Sequence, residues 1–314
     1  MKFSQLKAHL NTQQFKPAYL VSGGDAFLLH SAARLFERLI AQNPEFNISV
    51  FSENASAQEI VEACYALPLC SPLRLVLCYD FKGEADPIIR YLANPSPDCV
   101  LVFIAAKLSD SFTKLAALLE VVDCARLDEE HIVKWVRAKL AETNASIEDS
   151  ALRLLLDYTN RVMTRLASET EKLGAYKPNG QITHQDVAAL VTPDEAYKIF
   201  ELSEAAAQKN PSAAASVLKS LLQSGTPCTV LLGMLYAHFR RLLYCAVNPH
   251  DTSLARKLGV KDYAITKAAQ QAKSFGAARL KKICDTFHQT DFAIKSGEIG
   301  DRAALETFIL KILS

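Results

Sequence analysis

An apolar run, Ala18-Tyr19-Leu20-Val21, breaks at Ser22-Gly23-Gly24, and Asp25 stands where a helix would be capped. Strand, glycine turn and helix in that order suggest a phosphate site, because free amides at a helix N-terminus attract anions. A working phosphate loop places Gly-Lys-Ser/Thr five residues after its first glycine, so that the lysine meets the terminal phosphates and the hydroxyl holds magnesium. Counted from Gly23, those places hold Leu28, Leu29 and His30. An apolar pair cannot neutralise a triphosphate, so Gly23, Gly24, Leu28, Leu29 and His30 are expected to form a degenerate loop with no cofactor. The run Val100 to Ala105 likewise leads into Ala106 and Lys107, without the paired acids that organise magnesium in an ATPase. Both electrostatic components of phosphoryl transfer are missing, and no catalytic residue is expected.

Other reactive side chains suggest equally little chemistry. Cysteines stand at 64, 70, 78, 99, 124, 228, 245 and 284, and no two have metal-ligand spacing. Most lie in apolar segments, where a reduced thiol behaves as a small buried hydrophobe. The seven histidines are scattered, and none adjoins a cysteine as a base would. Arg240-Arg241, Arg279 and Lys281-Lys282 add positive charge near the C-terminus. A pair of arginines on an apolar helix reads as a solvated edge, since phosphate contacts need a cluster.

The elements around these residues fall into two classes. Up to about Asp128, β-rich runs (18–21, 48–51, 73–78, 100–105 and 121–124) alternate with helical periodicity, including Ile88 to Leu92 and Phe112 to Leu119. That alternation predicts a parallel sheet covered on both faces. Ser56 with Glu59 forms a capping box, so a helix runs toward Leu67 until Pro68 stops it. Beyond 128 the strand signals cease. Residues 129–193 read as a small helical unit, with helices Ile132 to Leu140, Ile147 to Tyr158, and Met163 to Leu173 ended by Gly174. Capping boxes are expected at Ser146/Asp149 and Thr183/Asp186. Residues 194–314 read as all-helical, with starts at Asn210-Pro211 and Thr226-Pro227, each an N-cap before proline.

Thirty-five basic against 34 acidic residues leave a net charge of +1, which offers no global basic face for nucleic acid. By segment the net charge is −3 over 1–128, −1 over 129–193 and +5 over 194–314. No apolar run is expected to reach the roughly 18 residues that cross a bilayer. The first residues lack the pattern of a signal peptide, so no membrane contact and a cytoplasmic location are expected.

Four stretches carry a family resemblance: YLVSGGDAFL at 19–28, LPLCSPLRLV at 67–76, ITHQDVAALV at 182–191, and ARKLG at 255–259 with DFAIKSG at 291–297. Their order and spacing span essentially the whole chain, which resembles the delta subunit of bacterial DNA polymerase III, part of its clamp loader. The loader's ATPase subunits are poorer matches, because they need GK[ST], a Ser-Arg-Cys motif and a four-cysteine zinc module.

The resemblance implies an AAA+-type α/β domain over 1–128, a helical lid over 129–193 and a helical collar over 194–314. It implies a subunit of a DNA-directed DNA polymerase, a nucleotidyltransferase by complex membership only. Expected partners are the sliding clamp (beta subunit), the tau/gamma and delta prime subunits, and primer-template DNA within the complex. Delta in that family binds the clamp and holds its ring open. Its wedge is a Leu-Phe pair, matched here by Leu69 and Cys70 before Arg74. Cysteine for phenylalanine implies a weaker contact or one that recruits Tyr65 and Leu67. Two other readings stay open from the residues alone: a nucleotide-dependent enzyme with a degenerate phosphate loop, and a generic helical scaffold.

Overall fold

The computed structural model describes residues 1–107, 115–260 and 262–313. The N-terminal runs form one sheet, with strands β1 (Ala18–Ser22), β2 (Ile48–Phe51), β3 (Arg74–Tyr79), β4 (Cys99–Ala105) and β5 (Glu120–Asp123). Their order is β2-β3-β4-β1-β5, and every neighbouring pair is parallel. Leu20, in β1, lies opposite Phe103 and Val121. Helices α1 (Phe3–Asn11), α2 (Ala26–Glu37), α3 (Pro44–Asn47), α4 (Ala57–Tyr65) and α5 (Asp86–Ala93) connect them.

Successive strand residues face opposite sides of a sheet. Tyr19, Val21, Leu75, Leu77 and Val102 therefore share one core with Leu6, Leu28, Ala32 and Phe36 of α1 and α2. Leu20, Val76, Cys78, Leu101 and Phe103 share the other with Ile60, Cys64, Ile88 and Tyr91 of α4 and α5. The parallel sheet covered on both faces is thus present as expected. The expected helix Phe112 to Leu119 lies, through residue 114, outside the described residues. Leu115 and Leu119 are buried in the second core.

Local signals set several helix starts. Asp25 Oδ1 accepts from the amides of Phe27 at 3.0 Å and Leu28 at 3.3 Å. Ser56 and Glu59 cap reciprocally, the Glu59 amide donating to Ser56 Oγ at 3.2 Å and the Ser56 amide to Glu59 Oε2 at 2.9 Å. Such caps contribute about 1 kcal/mol each.

The chain divides into two compact units, Met1–Ile147 with Arg161–Ile182, and Glu148–Asn160 with Thr183–Ser314. Segments of the stretch 129–193 belong to each. In the first unit, helices α6 (Glu129–Ala141) and α8 (Met163–Tyr176) pack together, beside strands β6 (Ser146–Ile147) and β7 (Gln181–Ile182). This corrects three expectations. Strands do continue past 128, since β6 and β7 pair in parallel. Ser146 is no cap: its amide donates to Gly180 O at 2.9 Å, and α7 (Asp149–Tyr158), in the second unit, starts at Glu148 without a side-chain cap. Gly174 does not end its helix. It lies buried in α8, where a Cβ would meet Thr143 Oγ1 at 3.0 Å and Leu140 Cδ2 at 3.4 Å, so glycine serves close packing against α6.

The second unit is helical among the described residues: α7, then α9 (His184–Leu190), α10 (Glu195–Ala207), α11 (Pro211–Gln223), α12 (Cys228–Val247), α13 (Leu254–Leu258), α14 (Asp262–Phe275), α15 (Ala277–Lys295) and α16 (Asp301–Leu313). Thr183 and Asp186 form the expected capping box, and Asn210 caps α11 with Pro211 behind it. The start at Thr226 is corrected: Pro227 is the N-cap of α12, and the Thr226 hydroxyl bonds Glu195 instead. Helix α12 also corrects the expectation that no apolar stretch reaches spanning length. It runs 20 residues with a window of mean hydropathy 1.3. Length and composition alone are weak grounds for a membrane span. Leu231, Leu235, Phe239 and Leu242 recur at three- and four-residue intervals and are buried with Leu202, Leu280 and Phe308, so α12 forms the middle of a helical core.

One buried network in this core titrates. Gln271 Nε2 donates to Phe200 O at 3.2 Å and Glu204 Oε2 at 3.1 Å, which turns its oxygen toward His238 Nε2 at 2.8 Å. The imidazole therefore donates from Nε2. Burial, with Arg241 nearby, pushes its pKa down to about 4. Below about 6.5 the unfolded chain takes up a proton that the folded chain refuses, so stability is complete above that pH and falls toward pH 4. The expected loss is about 3 kcal/mol. In denaturant melts at pH 7 and 4.5, His238→Gln should show a smaller acid loss than the wild type. Equal losses would exclude the imidazole as their source.

Candidate functional site

The end of α4 and the loop joining it to β3 hold Tyr65, Leu67, Leu69 and Cys70, the residues that the family resemblance singles out. Helix α4 ends at Tyr65 because Ala66 turns to extended backbone (φ −65°, ψ 132°), and Pro68 then bars a return to helix. Leu67 is 83% exposed, Leu69 53% and Tyr65 52%, and Cys70 is exposed as well. No charged residue occurs from Cys64 to Leu73. Together these side chains leave an exposed apolar patch on one uncharged stretch. Tyr65 is partly anchored, its ring edge-on to Tyr91 at 5.1 Å and its hydroxyl donating to Asn94 O at 3.4 Å.

Backbone and buried polar groups shape the loop. Cys70 is left-handed, with φ +50°, a conformation that disfavours side chains other than glycine, asparagine or aspartate. Asn47 bonds both backbone groups of Leu69: its Oδ1 accepts from the amide at 2.7 Å and its Nδ2 donates to the carbonyl at 2.9 Å. Arg74 donates from Nε to Ala63 O at 2.8 Å, from Nη1 to Phe46 O at 2.9 Å and from Nη2 to Ser49 Oγ at 2.8 Å. It thereby ties the end of α4 to α3 and β2. Sequence reasoning missed Asn47 and Phe46, because 22 residues separate Asn47 from Leu69 and no spacing signal spans that distance.

The glycine turn has a different character. Leu28 and Leu29 are buried in the sheet core, and His30 is exposed. The Phe27 and Leu28 amides, which a phosphate would need, already donate to Asp25. Gly23, with φ +154°, sits against the end of β5, where a Cβ would fall 2.1 Å from the Cys124 carbonyl carbon. Phe27 packs edge-on against Trp135 at 5.6 Å. Gly23, Asp25, Phe27, Leu28 and Leu29 are thus committed to packing or capping.

All eight cysteines are free, six of them buried. Burial pushes the Cys78 thiol up, and that of Cys124 to about 12, so neither is a thiolate near neutral pH. No group of His, Cys, Asp or Glu among the described residues is arranged to hold a metal ion. Arg240 lies over the Tyr236 ring at 5.7 Å, while Arg241 is half-buried, so only the first of the pair is a solvated edge.

Residues 19–125 match the family described as "DNA polymerase III, delta subunit", and residues 196–312 match "DNA polymerase III delta subunit, C-terminal domain". The chain belongs to the DNA polymerase III delta subunit family. Among delta subunits, that of Bacillus subtilis is 24% identical over 97% of this chain and 95% of its own length. The Escherichia coli delta subunit is 25% identical over 73% of this chain and 70% of its own. A solved structure of the Bacillus subtilis DNA clamp loader delta protein superposes with a TM-score of 0.71, covering 99% of both chains at 19% identity. The delta-subunit fold thus extends through the sheet and the helical C-terminal region alike. Both the glycine turn and the 65–70 loop fall within the first matched segment.

Proposed function

We propose that this delta subunit binds a sliding clamp through Leu67, Leu69, Cys70 and Tyr65 and holds the ring open while DNA enters. The observation that carries the reading is an uncharged apolar loop, exposed yet fastened at its backbone by Asn47. Opening a ring needs preferential binding to the open form. Moving a 1:99 equilibrium to 99:1 takes about 5.5 kcal/mol of differential affinity. Burying two exposed leucines in a pocket presented only by the open ring would contribute roughly 3–6 kcal/mol, which is the required order.

In this reading the chain acts as a non-catalytic, cytoplasmic subunit. Its 1–128 domain is AAA+-like, 129–193 acts as a lid, and the collar over 194–314 joins the tau/gamma and delta prime subunits, with primer-template DNA held by the assembled complex. The direct experiment mixes the full chain with its organism's sliding clamp. The expected results are a stable complex in gel filtration and faster loss of clamp from circular DNA; absence of a complex refutes the reading.

A nucleotide-dependent role finds no support in the glycine turn, whose amides are capped by Asp25 and whose Leu28 and Leu29 are buried. Calorimetric titration of the isolated chain with ATP and magnesium is expected to give no saturable binding. Micromolar binding would return the enzyme reading to first place.

A further inference from the structure

Asn47 is fully buried, and its amide serves backbone groups almost exclusively of one distant residue and its own turn. Besides the paired bonds to Leu69, its Nδ2 donates to Asn43 O at 3.0 Å and, more weakly, to Gln42 O at 3.4 Å. Both backbone polar groups of Leu69 are held much as a neighbouring strand would hold them. The residue before Asn47 is Phe46, an aromatic left 57% exposed, and its carbonyl is held by Arg74. Phe46 and Leu69 come from segments far apart in sequence. They nevertheless stand on one hydrogen-bonded base, and each leaves most of its side chain in water.

We propose that Phe46 and Leu69 form a single docking surface for an uncharged, apolar pocket on the sliding clamp, with Asn47 as the positioning residue that joins the two segments. The inference rests on the proposed function and deepens it. Charge selects the occupant: α3 carries only Glu45, and the stretch from Cys64 to Leu73 carries no charge, so the surface has nothing with which to hold a phosphate backbone. Continuity argues in the same direction, because Asn47 bonds the loop of the proposed contact directly. A surface ordered before binding loses less conformational freedom on docking, which raises affinity without adding contacts.

The test measures affinity of the full chain for the clamp by calorimetry. Phe46→Ala should weaken binding about tenfold with an unchanged melting temperature, as expected for an exposed anchor residue. Asn47→Ala should weaken it about fivefold and speed amide exchange at Leu69. Because Asn47 positions the Leu69 side chain through its backbone, its effect should shrink in a Leu69→Ala background, a coupling that general loss of stability does not produce. If the wild type and Leu69→Ala behave as the proposed function requires but Phe46→Ala binds within twofold of wild type, the two-segment surface is overturned and the function stands. An undiminished Asn47→Ala effect in the Leu69→Ala background overturns the positioning role. If the wild type binds no clamp at all, the function and this inference fall together.

Discussion

Replacing Leu67 and Leu69 together by alanine is expected to lower affinity for the sliding clamp at least about 100-fold, since losing two leucine anchors removes roughly 3 kcal/mol. The fold should not notice. Both side chains are largely in water, at 83% and 53% exposure, and neither belongs to a core cluster. Substitutions of this kind stay within about 0.5 kcal/mol of wild-type stability. Adding Cys70→Ala should deepen the loss only slightly, because a cysteine has little apolar surface to bury. The measurements are calorimetric affinity for the clamp and a thermal melt of each variant. Wild-type affinity in the double variant would falsify the docking assignment, whereas a lowered melting temperature would assign the leucines to packing.

Gly23→Ala should be among the most destabilising single changes in the N-terminal unit, at about 3 kcal/mol or more. The added Cβ would fall 2.1 Å from Cys124 C, 2.3 Å from Cys124 O and 2.6 Å from the Ala125 amide nitrogen, all backbone atoms that no rotamer change can move. The φ of +154° adds strain for any side chain. Relief is blocked, because the Cys124 amide donates to Ser22 O at 2.7 Å and Asp25 N to Cys124 O at 3.4 Å, stitching the turn to the strand end. Gly24→Ala is the matched control: nothing lies within 4 Å of its Cβ. A large drop in the denaturant midpoint for the first variant and almost none for the second is the expected pair of results. Equal effects would show that the turn is not limited by its approach to β5.

These two predictions divide along the same physical line as the legibility of the chain. Interactions closing within one helical turn could be read directly. Asp25 before its helix, Ser56 with Glu59 and Thr183 with Asp186 each involve groups two or three residues apart, and all three caps formed. The alternation of apolar runs with helical stripes foretold the doubly covered parallel sheet, because side-chain direction follows from backbone period alone. The break after the helix that exposes Leu67 and Leu69 followed from Pro68, whose ring cannot continue a helix past its first turn. The failures of Leu28 and Leu29 as phosphate ligands were equally local, being matters of residue type.

Wherever a side chain had a choice of distant partners, the local reading failed. Ser146 and Thr226 have the composition of caps, but the first gave its backbone to Gly180 and the second its hydroxyl to Glu195. Gly174 has the composition of a stop, yet its missing Cβ makes room for Thr143 and Leu140. Asn47 carried no signal at all. Its role arises because folding leaves the amide and carbonyl of Leu69 unpaired beside it, 22 residues along the chain. Residue types and short spacings thus foretold the layered sheet, the helical C-terminal region and the uncharged, apolar character of the 65–70 loop. Which backbone groups were left to be paired, and so how Phe46, Asn47 and Leu69 come to share one surface, depended on long-range closure of the chain, because a buried polar group takes its partner from whatever the assembled fold leaves unsatisfied.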